Sequence, residues 1–282
     1  MELILGTAQL TRRYGILAID RDPDDATATA LLTTAYDLGV RCVDTAPAYG
    51  DAEDAIGSSG LPLRVHTKLA PGLPAEQSLA GSLTRLRRDR VDVLHLHDPE
   101  AVHDRAILDA ARRLVGDRVG TLGASVYDAG AARTAADAGL GAVQVPLSVL
   151  DRRISDELLT ALAAAGVQVI ARSALLQGLL ADPEAGHGRV DGLDAALRSF
   201  ARTASALERA PVELALGWVR ARPGIDAVVL GAEDAHQLRT LSEAFATPAL
   251  DSEEHNVLQA LEHDDGTPGG PPVDPRECGV CW

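Results

Sequence analysis

The sequence is poor in aromatic residues and cysteine. Only 3% of its 282 residues are Phe, Trp or Tyr, so Ala, Val and Leu must fill any core that the 46% of hydrophobic residues form. The three cysteines, Cys42, Cys278 and Cys281, are a poor count for a disulfide framework. We therefore expect a reducing, cytoplasmic location.

Basic residues are also scarce relative to acidic ones. Lys and Arg number 26 against 41 Asp and Glu, which gives a formal net charge of −15 at pH 7. A field of that sign repels nucleic acid and anionic lipid, so we expect neither as a partner. No apolar run reaches the roughly 18 residues of a membrane span, and residues 1–6 lack the basic region of a signal peptide. We expect neither a span nor a secretory signal.

Eight short apolar segments alternate with longer segments rich in Ala, Leu and Arg. They are residues 3–8, 42–46, 63–69, 91–97, 119–126, 142–147, 167–173 and 227–231. Short, nearly continuous Val/Leu-rich runs are typical of parallel strands buried on both faces. Eight strand–helix units in this length predict a single (β/α)₈ TIM barrel of the α/β class. An open doubly wound sheet would need a Gly-rich phosphate turn after its first strand, and residues 5–10 are not such a turn.

Helical patterns separate these segments. We predict helices over 24–38, 76–88, 105–115, 128–138, 155–165, 211–221 and 235–246, with extra helices over 189–208 and 251–262. Residues 1–262 then form one barrel domain, and the Gly/Pro/Asp-rich residues 263–282 form a flexible tail. The tail ends in Cys278-Gly279-Val280-Cys281-Trp282. Two free thiols, a redox pair, half of a zinc site and a cover over the barrel mouth are all open alternatives for this ending.

Four polar side chains follow consecutive predicted strands. Asp44 ends the second strand, Tyr49 lies in the loop after it, Lys68 ends the third strand and His97 ends the fourth. Side chains at strand C-termini face the active site of a TIM barrel. A phenol is a weak acid at neutral pH, and a nearby ammonium favours the phenolate. This set predicts that Tyr49 protonates a carbonyl oxygen while Lys68 tunes it, Asp44 holds Lys68 and His97 orients the carbonyl.

A metal site is a weaker interpretation of the same region. His95 and His97 alternate on one strand and therefore point to the same face, as metal ligands can. The ends of the fifth and sixth strands offer no further histidine, so we predict no metal. We expect His95 to lie deeper in the barrel, with His66 beside it.

The segments that carry these residues resemble the aldo-keto reductase superfamily. They are Leu5-Gly6-Thr7-Ala8, the stretch from Val43 to Gly50, Thr67-Lys68, the stretch from Ser82 to His97, Leu122-Gly123-Ala124-Ser125 and Gln144-Val145-Pro146. The resemblance runs in register from Leu3 to about Leu241, and all four positions of the family's Asp/Tyr/Lys/His tetrad are occupied in order. The opening at residues 5–10 is most similar to a bacterial branch of uncharacterised members.

The resemblance implies an NAD(P)H-dependent oxidoreductase that reduces a small-molecule carbonyl compound to an alcohol, as a monomer or weak homo-oligomer. The cofactor-binding positions that it implies are Gly6, Thr7, Ser125, Gln144, Ser173, Leu175, Gly178, Gly231, Glu233 and Gln237. Ser125 and Gln144 match the groups that hold the nicotinamide carboxamide. Ser173, Leu175 and Gly178 match the loop along the pyrophosphate, and the last three residues follow strand eight at the adenosine end.

The sequence departs from the family at three places. Val126 replaces the usual Asn, and no aromatic residue stands near Arg172 or Leu147, where a ring that stacks on nicotinamide is expected. The adenosine-phosphate clamp usually carries Lys or Arg, and here the stretch contains Glu233 and Asp234. These carboxylates weaken the case for NADPH and allow NADH, with Glu233 bonded to a ribose hydroxyl.

Two other functions are compatible with the sequence. One is a non-catalytic nucleotide-binding barrel, because fold does not fix function. The other is a redox-neutral, epimerase-like enzyme that oxidises and re-reduces a sugar with retained cofactor. An intact tetrad argues against the first, and cofactor that co-purifies with the protein would favour the second.

Overall fold

The eight predicted strands form one closed parallel barrel in the computed structural model of the protein, which describes residues 1–18 and 23–261. They are β1 (Glu2–Gly6), β2 (Cys42–Asp44), β3 (Arg64–Lys68), β4 (Val91–Leu96), β5 (Val119–Ser125), β6 (Ala142–Pro146), β7 (Gln168–Arg172) and β8 (Ala227–Gly231). Each strand pairs with its neighbours in sequence order, and β1 closes the ring by pairing with β8. The predicted (β/α)₈ TIM barrel is confirmed.

Ten α-helices lie in the described residues. They are α1 (Asp25–Asp37), α2 (Ala52–Ser59), α3 (Ala75–Leu86), α4 (Arg105–Arg112), α5 (Ala129–Asp137), α6 (Asp156–Ala164), α7 (Asp194–Ala206), α8 (Pro211–Arg220), α9 (Ala235–Ala246) and α10 (Ser252–Gln259). The short helix α2 was not predicted. Helix α7 begins later than the predicted residue 189, after Gly192, whose φ angle of 76° does not suit a helix.

Acidic and hydroxyl side chains fix where several helices begin. The side chains of Asp24, Asp128, Ser155, Asp234 and Asp251 each accept a hydrogen bond from a backbone N–H in the first turn that follows. Such N-caps satisfy donors that have no partner within the helix. The first four of these caps therefore set the ends of βα loops, which lie at the mouth of the barrel.

The barrel interior changes from apolar to polar along its axis. Ile4, Cys42, Ile170 and Ala227 form a separate buried cluster inside the barrel, packed against Val229. Polar side chains lie toward the strand C-termini, where β2 and β3 end in Asp44 and Lys68. The apolar layer therefore fills the barrel interior below the polar end.

The membrane and tail predictions concern different parts of the chain. None of the helices within residues 1–18 and 23–261 is both long and apolar enough to cross a membrane. The predicted tail at 263–282, with Cys278, Cys281 and Trp282, lies outside the described residues.

Candidate active site

A buried ion pair lies at the C-terminal ends of β2 and β3. Lys68 Nζ donates to Asp44 Oδ1 at 2.6 Å and to the carbonyl oxygen of Thr45 at 2.9 Å. Lys68 and Asp44 are only 1% and 3% exposed. The strand register aligns Asp44 with His66 and Lys68 with His95, and Lys68 lies two residues beyond His66 on β3.

Tyr49 and His97 lie against this ion pair. Lys68 Nζ is 4.9 Å from the centroid of the Tyr49 ring, and the His97 ring meets that ring edge-to-face with centroids 6.2 Å apart. Thr11 holds the loop that carries Tyr49, because Thr11 Oγ1 donates to the Tyr49 carbonyl oxygen at 3.2 Å. The structure thus brings all four predicted catalytic side chains together.

The ion pair stays charged at neutral pH. Burial alone would raise the pKa of Asp44, but the Lys68 ammonium and the hydrogen bonds from Lys68 and Gln144 outweigh it and lower that pKa. Burial would likewise lower the pKa of Lys68. The Asp44 carboxylate, and then Tyr49, reverse the effect and raise it.

The histidines of β4 and of the loop that follows it are neutral at pH 7. Burial, followed by the positive charge of Lys68, lowers the pKa of His97 to about 4. Burial lowers the pKa of His95 to about 3, and this residue is fully buried. Its ring lies 6.0 Å from that of His66, as predicted. A neutral His97 can donate one hydrogen bond to a carbonyl oxygen.

An open groove runs from the ion pair to the N-terminus of α9. Its empty space, counted together with the open solvent at the mouth, is about 1040 Å³. Asp44 and Tyr49 border one end, while Glu233 and Leu241 border the other. Nine of the predicted cofactor-binding residues border it: Gly6, Thr7, Gln144, Ser173, Leu175, Gly178, Gly231, Glu233 and Gln237. Ser125 does not, although it is buried beside Gln144 in the sheet register.

Two of these residues also hold the ion pair. Gln144 Nε2 donates to Asp44 Oδ2 at 2.7 Å, and Thr7 Oγ1 donates to the Asp44 carbonyl oxygen at 2.9 Å. Together with Lys68, Gln144 occupies both carboxylate oxygens of Asp44. Both residues were predicted to contact only the cofactor, because their contacts with Asp44 join segments that are distant in the sequence.

Backbone conformation shapes the middle of the groove. A Cβ at Gly6 would lie 2.9 Å from Val229 Cγ1, and one at Gly231 would overlap the side chain of Gln9. In the loop after β7, Ser173 and Gln177 adopt φ angles of 59° and 55°, which are uncommon for residues other than Gly. Such conformations persist where the surroundings enforce them, and they occur often at functional sites.

The far end of the groove is acidic. Asp234 Oδ1 accepts from the Gln237 N–H at 2.8 Å, and Gln237 Oε1 accepts from the Glu233 N–H at 2.7 Å. Arg239, which could have supplied a cation here, instead donates to the Ala235 carbonyl oxygen at 3.2 Å. Arg12 and Arg13 border an adjoining depression together with Glu233.

Several residues that border the groove were not predicted. They are Ala8, Gln9, Tyr14, Gly15, Leu17, Ala18, Arg172, Ala174, Gln177, Ala181, Val229, Leu230 and Leu241. Arg172 was noted only as a position lacking an aromatic ring, and its guanidinium lies 4.5 Å from the centroid of the Tyr127 ring. In the described part of the chain, no group of three or more His, Cys, Asp and Glu side chains could hold a metal ion.

The family model described as the Aldo/keto reductase family matches residues 2–263. The chain belongs to the aldo/keto reductase family. It is 22% identical to Aldo-keto reductase YhdN of Bacillus subtilis, over 88% of this chain and 87% of that protein. It is 28% identical to the Uncharacterized oxidoreductase Mb2320 of Mycobacterium bovis, over 90% of this chain and 87% of the relative.

Solved structures of aldo-keto reductases share the fold. The holo form of aldo-keto reductase AKR11C1 from Bacillus halodurans superimposes with a TM-score of 0.76 at 22% identity, over 92% of this chain and 91% of that one. The glycerol dehydrogenase AKR11B4 from Gluconobacter oxydans gives 0.72 at 22% identity, over 92% and 90%. Family membership makes this aldo-keto reductase an oxidoreductase of carbonyl compounds, in a family that generally uses NAD(P)H.

Proposed function

We propose that this aldo-keto reductase reduces a small-molecule aldehyde or ketone to the alcohol, with NAD(P)H as reductant and Tyr49 as general acid. The observation that carries the proposal is the buried Lys68 ammonium, paired with Asp44 and 4.9 Å from the Tyr49 ring centroid at one end of the groove. An ammonium held there stabilises the phenolate that forms when a phenol gives up its proton.

The residues that border the groove suit a dinucleotide. Nine of the positions at which the family resemblance places the cofactor lie along it, from Gly6 and Thr7 to Glu233 and Gln237. Gly6 and Thr7 would lie beside the nicotinamide end, with Ser125 and Gln144 at its carboxamide. Ser173, Leu175 and Gly178 would follow the pyrophosphate, and Gly231, Glu233 and Gln237 the adenosine. When bound, the nicotinamide supplies hydride to the carbonyl carbon.

The four catalytic side chains have separate tasks in this proposal. Tyr49 gives its proton to the carbonyl oxygen, and Lys68 stabilises the phenolate that this transfer creates. Asp44 keeps Lys68 charged and in position. His97, neutral at pH 7, donates a hydrogen bond that orients the carbonyl oxygen.

The adenosine end of the groove allows NADH as the reductant as well as NADPH. Glu233 borders the adenosine end and Asp234 caps the helix that begins there, so two carboxylates stand where a 2′-phosphate would need cations. A carboxylate can accept a hydrogen bond from a ribose hydroxyl and repels a phosphate.

Replacement of Tyr49 by Phe tests the proposal. We expect kcat/KM for 4-nitrobenzaldehyde, followed by the loss of NADH or NADPH absorbance, to fall by a factor on the order of 10² or more. Melting temperature and the Kd of the nucleotide should not change, since only a hydroxyl is removed. Tyr36→Phe is the matched control, because Tyr36 packs under Arg41 outside the groove.

Other outcomes would favour the alternatives. Undiminished turnover in Tyr49→Phe would contradict the mechanism. Nucleotide binding without turnover of any carbonyl compound would favour a binding barrel. Nucleotide that stays bound through purification, with no net oxidation during turnover, would favour a redox-neutral enzyme.

A further inference from the structure

Arg172 is a cation at the reactive end of the groove. It is the last residue of β7, aligned with Pro146 of β6, and it borders the groove together with Asp44 and Tyr49. Its positive charge acts together with burial and with Lys68 to lower the pKa of His97. The guanidinium is therefore close to the proposed site of proton transfer.

Arg172 has no carboxylate partner among the described residues. Nη1 donates to Ser173 Oγ at 3.2 Å and Nη2 to the Val126 carbonyl oxygen at 3.4 Å, both neutral acceptors at long distances. Asp151 is already paired with Arg153 at 2.8 Å. A guanidinium has five N–H donors, so most of its capacity for charge-assisted bonds is unused.

The orientation of this guanidinium is fixed from one side. Its carbon lies 4.5 Å from the centroid of the Tyr127 ring, and Arg153 Nη1 donates to the Tyr127 carbonyl oxygen at 3.4 Å. Stacking on an aromatic ring occupies the face of a guanidinium and leaves the N–H groups along its edge free. Such an edge matches two oxygens of a planar anion and loses little entropy on binding one.

We propose that the substrate is an oxo acid, a carbonyl compound that carries a carboxylate, and that Arg172 binds this carboxylate while the carbonyl oxygen meets Tyr49. This inference rests on the proposed function and adds the substrate class. The same donors could instead serve oxygens of the nucleotide, so the test must separate the two anions.

The test compares carboxylates with neutral aldehydes of similar shape. The probes are 4-carboxybenzaldehyde against methyl 4-formylbenzoate, and succinic semialdehyde against butanal, which place the carboxylate at two distances from the carbonyl. For at least one pair, wild-type kcat/KM should favour the acid by about tenfold or more. Arg172→Gln should remove that preference by lowering kcat/KM for the acid. It should change kcat/KM for the neutral aldehyde by less than about threefold. Arg172→Lys should keep part of it.

Arg12→Gln is the charge-matched control. Its guanidinium lies 5.8 Å from the Tyr49 ring centroid but does not border the groove. The variant loses the same charge near the same phenol and should retain the preference for acids. Melting temperatures of all variants establish that they fold, and the wild-type ratios test the proposal without any variant.

Three results would overturn the inference. The first is a wild-type ratio near one for both pairs, and the second is a preference that survives in Arg172→Gln. The third is an equal loss for acid and neutral aldehydes together with a weaker nucleotide Kd by fluorescence titration, which would assign Arg172 to the cofactor. Failure of the wild type to reduce any of the four aldehydes would instead contradict the proposed function, and this inference with it.

Discussion

The buried pair of Asp44 and Lys68 should be strongly coupled in stability. Asp44→Asn leaves an ammonium that is 1% exposed facing the Thr45 carbonyl oxygen and Tyr49 without a counter-ion. Removal of one partner of a buried ion pair costs about 3–5 kcal/mol, because the remaining charge stays out of water. We expect Asp44→Asn to lower the free energy of unfolding by an amount in that range.

Lys68→Met should cost a similar or smaller amount. The Asp44 carboxylate would keep the hydrogen bond from Gln144 Nε2 at 2.7 Å, which compensates part of its charge. The double variant Asp44→Asn/Lys68→Met removes both charges and replaces the ammonium stem by an apolar chain of similar length. Its loss should fall short of the sum of the single losses by about 2 kcal/mol or more.

The coupling should not depend on pH near neutrality. The pKa of Asp44 is lowered, so its contribution is lost only as pH falls through that value, below the ordinary pKa of about 4. The pKa of Lys68 is raised, so its contribution is lost only as pH rises above its ordinary value of about 10. Between about pH 6 and 9 the cycle should give one constant value.

Urea unfolding at pH 7, followed by circular dichroism and tryptophan fluorescence, gives the four free energies where both signals coincide. An exposed control cycle is provided by Arg105 and Asp109, 3.7 Å apart with 94% and 48% of their side chains exposed. Its coupling should be at most about 0.5 kcal/mol. Additivity of the Asp44 and Lys68 variants within about 0.5 kcal/mol would refute the reasoning.

Three further predictions follow from local geometry and charge. A Cβ at Gly57 would lie 2.7 Å from the Leu86 carbonyl carbon where α2 crosses α3, whereas one at Gly60 meets open space at a φ of 63°. Gly57→Ala should therefore cost about 2–3 kcal/mol in urea unfolding against about 1 kcal/mol for Gly60→Ala, and equal costs would contradict the crossing. His95 and His97, with pKa values of about 3 and about 4, should be neutral in the folded state and protonated in the unfolded one as pH falls from about 6.5 to 4. The free energy of unfolding should then fall by up to about 1.4 kcal/mol per pH unit for each histidine. If a His95→Leu variant kept the wild-type slope of that free energy against pH, the prediction for His95 would be wrong. The wild type should bind NADPH no more than about a hundredfold, or about 2.7 kcal/mol, more tightly than NADH, and Glu233→Lys should raise that ratio about tenfold in fluorescence titrations.

Strand number, order and most helix positions could be predicted from the sequence. Parallel strands buried on both faces appear in a sequence as short apolar runs. N-cap residues such as Asp128 and Asp234 mark the positions where helices begin. Asp44, Lys68 and His97 could be placed at one rim for the same reason, since strand C-termini in this fold meet at one end. Their roles, and those of Tyr49 and the cofactor-binding residues, remain predictions.

The tertiary structure alone decided several features. Helix α2 (Ala52–Ser59) has no side-chain cap and an internal glycine at residue 57, and its stability comes from packing against α3 rather than from local sequence signals. Gln144 reaches Asp44 across a sequence separation of 100 residues, a contact that exists only when the barrel has closed. The unpaired edge of Arg172 is likewise invisible in the sequence, because a cation's counter-ion depends on which distant side chains the fold brings within a few ångströms.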